Sequence, residues 1–233
     1  MKKRNMIWNI PAILAVLCLA FVFANCGNNT TIRARVYTSG SPLGTGIDIV
    51  PFTGNRSVAV NIISDNLLPT GITGTINNGL LNITLKALPD NLLENIAEKM
   101  GDGFILNPTI IPTDATIIPA DARGAFNAFF VTSGEDRKGF IRRLSFDEDE
   151  IEYVLFWFVD RDVTISAPRF EWSLDEISGF TMTPTHNITN AFTLNLRHGW
   201  NTVHERISVR SGTNISTLSI GDPAHLRWVL SEW

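Results

Sequence analysis

Cysteine is nearly missing from this chain. Of 233 residues only Cys18 and Cys26 are cysteines, so nothing beyond residue 26 can build a disulfide framework or a thiolate metal site. Basic charge is also short. Nineteen Lys and Arg stand against 23 Asp and Glu, a formal net charge of -4, and a chain beginning at Cys26 sits near -7 because Lys2, Lys3 and Arg4 are gone. Nucleic-acid binding normally demands a clustered basic face, which this acidic balance argues against. There is no repeat of fixed period and no low-complexity block, which excludes solenoids and arrays.

Catalytic signatures are equally scarce. Ser39, Ser133 and Ser178 each adjoin a glycine, yet none sits in G-x-S-x-G between a strand and a helix. "GSPLGTG" has glycines without a GK[ST] or a following helix. "HERIS", residues 204–208, lacks the second histidine of a metalloprotease helix. The acidic run Asp147–Glu152 lacks the spaced oxygens and central glycine of a calcium loop. Asp160 and Asp162, two residues apart, read as turn formers rather than as a glycosidase pair. His198 and His204 fall on opposite arms of an expected hairpin, with the turn at Gly199–Asn201, and supply at most two of the ligands a zinc ion needs. No catalytic residue, metal site or cofactor is expected.

What is present begins at the N-terminus. Basic "KKR" precedes an apolar stretch from Met6 to Ala24, and then comes small, polar "NCGNNTT". That is the layout of an export signal, and it places the body of the protein outside the cytoplasm. An uncleaved membrane anchor and a plain secretory signal are the alternatives to a lipidated end. The segment "FANC" resembles a bacterial lipobox, with Phe23 and Asn25 where the usual pattern has Leu and a small residue; such relaxed forms occur in spirochaete lipoproteins. The resemblance implies a signal peptide over 1–25, lipidation at Cys26 and a short tether over 26–31. Each acyl methylene contributes about 0.8 kcal/mol, so two or three chains give a lasting anchor.

From Ile32 onward the chain shows short alternating or β-branched runs broken by Gly, Asn, Asp and Pro. "TIRARVY" alternates. "GIDIVPF" and "SVAVNII" flank "TGN", the pattern of a hairpin, and "NNG" between "GITGTI" and "LLNITLK" is a stronger one. "YVLFWFV" is almost continuously apolar, as in a strand covered on both faces. One helix is predicted near 90–100, with Asp90 as N-cap and Leu92, Leu93, Ile96 and Met100 on one stripe. Residues 32–233 therefore read as a single mainly β domain, an antiparallel β-sandwich with one short helix.

"GTINNGLLNITL", "YVLFWFVDRDVTISA", "LNLRHGWNTVHE" and the closing "LRWVL", in that order, resemble a group of uncharacterised spirochaete lipoproteins. The resemblance spans most of residues 26–233. It implies envelope location and β-rich architecture, and it carries no activity. Among the tryptophans, Trp157 is expected in the core, while Trp172 and Trp200 are the candidates for a ligand face that stacks on sugar rings. The expected function is a lipid-anchored, non-enzymatic binding module for a glycan or protein ligand. An envelope polysaccharide hydrolase and a structural envelope partner are the alternatives.

Overall fold

The computed structural model describes residues 29–39, 49–62, 68–98, 112, 114–133, 136–147, 149–173, 186–210 and 212–232. It is almost wholly β, with a large mixed sheet and a small one packed as a sandwich. The strands are β1 (Asn29–Ser39), β2 (Ile49–Pro51), β3 (Arg56–Ile62), β4 (Leu68–Asn77), β5 (Leu80–Lys86), β6 (Glu94–Asn95), β7 (Thr116–Ile118), β8 (Arg123–Ser133) and β9 (Asp136–Asp147). They continue with β10 (Glu150–Val159), β11 (Val163–Ala167), β12 (Phe170–Ser173), β13 (His186–Thr189), β14 (Phe192–Leu196), β15 (Gly199–Arg210), β16 (Thr213–Ile220) and β17 (Arg227–Glu232).

The large sheet runs β12-β13-β16-β15-β10-β9-β17-β1-β5-β4-β3-β8-β6. Its strand β8 also pairs with β9 and β10, so the sheet curls back on itself. That curl encloses a core made by Val36, Ile76, Leu81, Phe129, Phe156, Trp200 and Trp228, all buried. Two contacts, β1 with β17 and β13 with β16, are parallel in an otherwise antiparallel ladder.

The second layer arises from a bend. The ladder between β10 and β15 ends at Val159 opposite Gly199, and resumes between β11 and β14 at Val163 opposite Leu196. One two-stranded ribbon thus leaves the large sheet, turns a corner, and returns over it with β7 added at its edge. Ile165, Leu194 and Leu196 of this layer close over Trp157, Val159 and Val203 of the large sheet as a second core. β10 feeds both cores, Phe156 and Phe158 one, Trp157 and Val159 the other, which is why its sequence is apolar without alternation.

The corner is pinned by the residues expected to form turns. Asp160 accepts hydrogen bonds from the Arg123 backbone N–H at 3.0 Å and from both Arg123 and Arg161 side chains. Burial alone would push its carboxyl pKa up, but these donors outweigh it and hold the group below the usual range. Asp162 accepts from the His198 backbone N–H and from Arg197, each at 2.8 Å. These aspartates fasten the bend and are not the tip of a hairpin, since β10 and β11 lie in different sheets.

Four expectations need correction. The helix near 90–100 is a single 3-10 turn over Asp90–Leu92 followed by extended Leu93 and β6. Leu93 enters the first core and Ile96 the second, which a helix with both on one stripe would prevent. The Asn95 side chain reinforces this by accepting from the backbone N–H groups of Ala97 and Glu98, a local turn that competes with helix. The "TGN" hairpin does not form: β2 pairs with β1, and β3 pairs with β4 and β8. Gly199–Asn201 is the start of β15 rather than a turn, so His198 precedes the strand and His204 lies within it. Finally, Asn29–Thr31, read as tether, already belong to β1, in register with Lys86, Leu85 and Thr84.

Candidate functional site

Three places gather polar side chains that packing alone does not require. The most specific is centred on Glu152 of β10. Nε2 of His204, from β15, lies 2.7 Å from one carboxylate oxygen, and Nε2 of His225, from the connection between β16 and β17, lies 2.9 Å from the other. An ionised carboxylate only accepts, so each imidazole presents Nε2–H to it. Glu152 and His204 are largely buried, while His225 is more than half exposed. On the neighbouring strand Arg143 pairs with Asp222 and donates to the Pro223 carbonyl at 3.0 Å. Glu152 and Arg143 together therefore latch residues 222–225 onto the sheet.

Burial would raise the Glu152 pKa, but hydrogen bonds from His225 and His204 more than offset this and lower it below its ordinary 4.5. A depressed carboxylate pKa contributes stability that is complete above the unfolded value and is lost as pH falls through the folded one. Glu152→Gln is thus expected to lower the melting temperature at pH 7, with the gap to the parent closing as pH drops below about 4.5. Melting curves at several pH values check this; a gap independent of pH would contradict it.

The second place is a shallow cleft of about 450 Å³ on the small sheet, lined by Asp114, Thr116, Ser166, Pro168, Phe192 and Thr193. Alternation on β11 and β14 turns Ile165, Leu194 and Ala167 inward and leaves a row of hydroxyl and amide groups outside. Ser166 and Thr193 are 3.1 Å apart, and Thr164 donates to Asn195 at 2.9 Å. The third is a buried acid, Glu205 of β15, 1% exposed and in register with Tyr153. Burial first, and the Glu205 charge next, push the Tyr153 phenol well above its usual pKa.

Of the residues that the sequence singles out, Cys26 lies outside the described residues. Trp172 sits in β12, in register with Asn187, at the outer edge of the large sheet. Trp200 is not a ligand platform. It is 5% exposed, packs edge-on against Phe158 at 5.4 Å, and donates its indole N–H to the Lys86 carbonyl at 2.8 Å. Its neighbour Asn201 shapes the preceding turn, accepting from the Arg197 N–H at 2.9 Å and donating to the carbonyls of Arg197 and Gly199. The "GWN" segment fastens the fold.

The Glu152 cluster escapes sequence reasoning because its members are 52 and 73 residues apart. Among the described residues no group of three or more His, Cys, Asp or Glu is arranged to hold a metal ion. Compared with known proteins, the chain matches no family model, no curated protein and no solved structure.

Proposed function

We propose that this chain is a lipid-anchored cell-envelope protein that acts as a non-enzymatic binding module. The observation that carries the reading is the place of β1. It begins three residues after Cys26 and is paired over its whole length on one side, with β5 over Asn29–Arg35 and with β2 over Tyr37–Ser39, while β17 flanks Val36–Thr38 on the other. A lipid at Cys26 would therefore hold a rigid sandwich by one of its inner strands, a mount suited to presenting a surface at a fixed height.

Binding rather than hydrolysis is supported by how the polar groups are distributed. The cleft on the small sheet brings hydroxyls and one carboxylate, Asp114, while the described histidine–carboxylate pairs of His204 and His225 lie on the large sheet with their Nε2 atoms already engaged by Glu152. Hydroxyl and amide rows suit a ligand rich in the same groups, the chemistry of an envelope glycan. Detergent-extracted protein mixed with purified envelope polysaccharide is expected to cosediment with it and to release no new reducing ends. Release of reducing ends would move the assignment to a hydrolase; failure to cosediment would remove the glycan.

A further inference from the structure

Charge is unevenly divided along this chain. Residues 26–89 hold four basic side chains, Arg33, Arg35, Arg56 and Lys86, against two acidic ones, whereas residues 90–233 hold 12 basic and 21 acidic. β1, β3, β4 and β5 contain no Asp or Glu at all. Alternation then sorts the cations onto one face. Ile32, Ala34 and Val36 turn to the core, so Arg33 and Arg35 project from the opposite side, where both are exposed.

The ladder extends this face sideways. Arg33 is in register with Asn82, Arg35 with Leu80, and Asn29 with exposed Lys86. On the other flank Arg227 of β17 is exposed and stands 4.9 Å over the ring of Tyr37, the next outward residue of β1. None of Arg33, Arg35, Lys86 and Arg227 has a carboxylate partner among the described residues. In a chain of net negative charge, this face gathers cations that no described carboxylate neutralises.

We propose that this face of β1, β5 and β17 docks on the anionic phospholipid headgroups of the membrane that holds the N-terminus. The proposal rests on the lipid-anchor reading and adds the orientation of the domain. Three residues of chain from Cys26 to Asn29 span at most about 10 Å, which is close to the range over which charges interact through physiological salt. Lys86 lies opposite Asn29, the first residue of β1. The attached surface is therefore within reach of the cations, and that proximity selects lipid headgroups over any soluble polyanion. Each basic side chain near an anionic surface favours contact by roughly fivefold, so three of them set the orientation by roughly a hundredfold. The acidic remainder of the domain is repelled by the same surface.

The scarcity of cysteine makes the test direct. Once residues 1–25 are removed and Cys26 is blocked by lipid, an introduced cysteine is the single labelling site. A dye at Thr75→Cys, opposite Asn82 on the cationic face, is compared with one at Asn195→Cys on the small sheet, using energy transfer to a lipid-borne acceptor. On vesicles containing about a third phosphatidylglycerol, transfer from the Thr75 position is expected to exceed that from Asn195. The difference is expected to vanish on phosphatidylcholine alone, in about 0.5 M salt, or with Arg33→Gln, Arg35→Gln and Lys86→Gln combined. Equal transfer from the two positions on anionic vesicles, or a difference that the triple variant leaves intact, would overturn the proposal. Intact mass separates this from the anchor itself. If residues 1–25 are retained, the lipid anchor fails, and the same comparison in a Cys18→Ser, Cys26→Ser background still decides the face, because the apolar leader then attaches the N-terminus.

Discussion

Trp200→Ala is expected to destabilise the domain by about 3–5 kcal/mol, the range for removing a buried indole from a close-packed core. The side chain is 5% exposed, sits among the residues of the first core, and ties β15 to the end of β5 through its bond to the Lys86 carbonyl. For a domain of this size that corresponds to a fall in melting temperature on the order of 10 °C. Trp200→Phe separates the two contributions. It keeps most of the apolar surface but leaves the Lys86 carbonyl without its donor, at about 1–3 kcal/mol.

Trp157 provides the contrast. It is 1% exposed and packs against Phe126 at 4.5 Å, yet among the described residues its indole N–H has no hydrogen-bond partner. Trp157→Phe removes a buried donor that no described acceptor satisfies, so it is expected to cost about 1 kcal/mol less than Trp200→Phe. Thermal or urea unfolding of the pair measures the difference. Equal losses would mean that the Trp200 bond contributes nothing, and a stable Trp200→Ala would return that residue to the surface.

The second large effect is expected at Gly79. This residue and Asn78 form the two-residue turn between β4 and β5 with φ of 73° and 49°, the geometry that an Asn-Gly pair adopts readily. The turn is also wedged into the sheet. Gly79 accepts from the Val36 N–H at 2.8 Å and donates to the Gly54 carbonyl at 3.2 Å. A Cβ there would lie 1.9 Å from the Phe52 carbonyl oxygen, on backbone that cannot step aside without breaking these bonds. Gly79→Ala is expected to lose about 3 kcal/mol or more, from positive φ together with overpacking. Gly212, at φ 79° with nothing within 4 Å of its Cβ position, is the control. Gly212→Ala carries the dihedral penalty alone, about 1–2 kcal/mol. Similar losses at the two sites would show that the contact with Phe52 is not rigid.

These residues mark what the sequence made legible. The Asn-Gly turn announced itself because its cause is local, two adjacent residues that tolerate positive φ. β10 was readable because burial on both faces removes polar alternation. The failures share a different cause. Leu92, Leu93 and Ile96 match a helical stripe, but the chain spends Leu93 and Ile96 on separate cores, a demand of the sandwich that no window of ten residues contains. "TGN" has the composition of a turn, yet β2 finds its partner in β1, behind it. Trp200 beside Gly199 resembled an exposed turn because the glycine was read as the turn itself, whereas it opens β15 just after one.

The candidate site was hidden for the same reason. Glu152 meets His204 only through the ladder of β10 with β15, and meets His225 only because the chain after β16 folds back over that ladder. The aspartates of "DRD" were readable as turn formers, while their larger role in bending a ribbon from one sheet to the other was not. The N-terminal motif is of another kind. The lipidation proposed for it would be carried out by chemistry outside the fold, so the argument for it lies in the order of charge, apolar run and cysteine.

The central claim is that the mature protein begins at a lipidated Cys26 and enters its sheet three residues later. Intact mass of the protein made with its own N-terminus in a bacterial host, beside Cys26→Ser, tests it most directly. The expected result is a mature chain lacking residues 1–25, heavier than residues 26–233 by a diacylglyceryl group and any further acyl chain, and partitioning into detergent. The Cys26→Ser chain is expected to carry no acyl mass. Wild-type and variant chains that both retain residues 1–25, or both lose them without added lipid, would contradict the account.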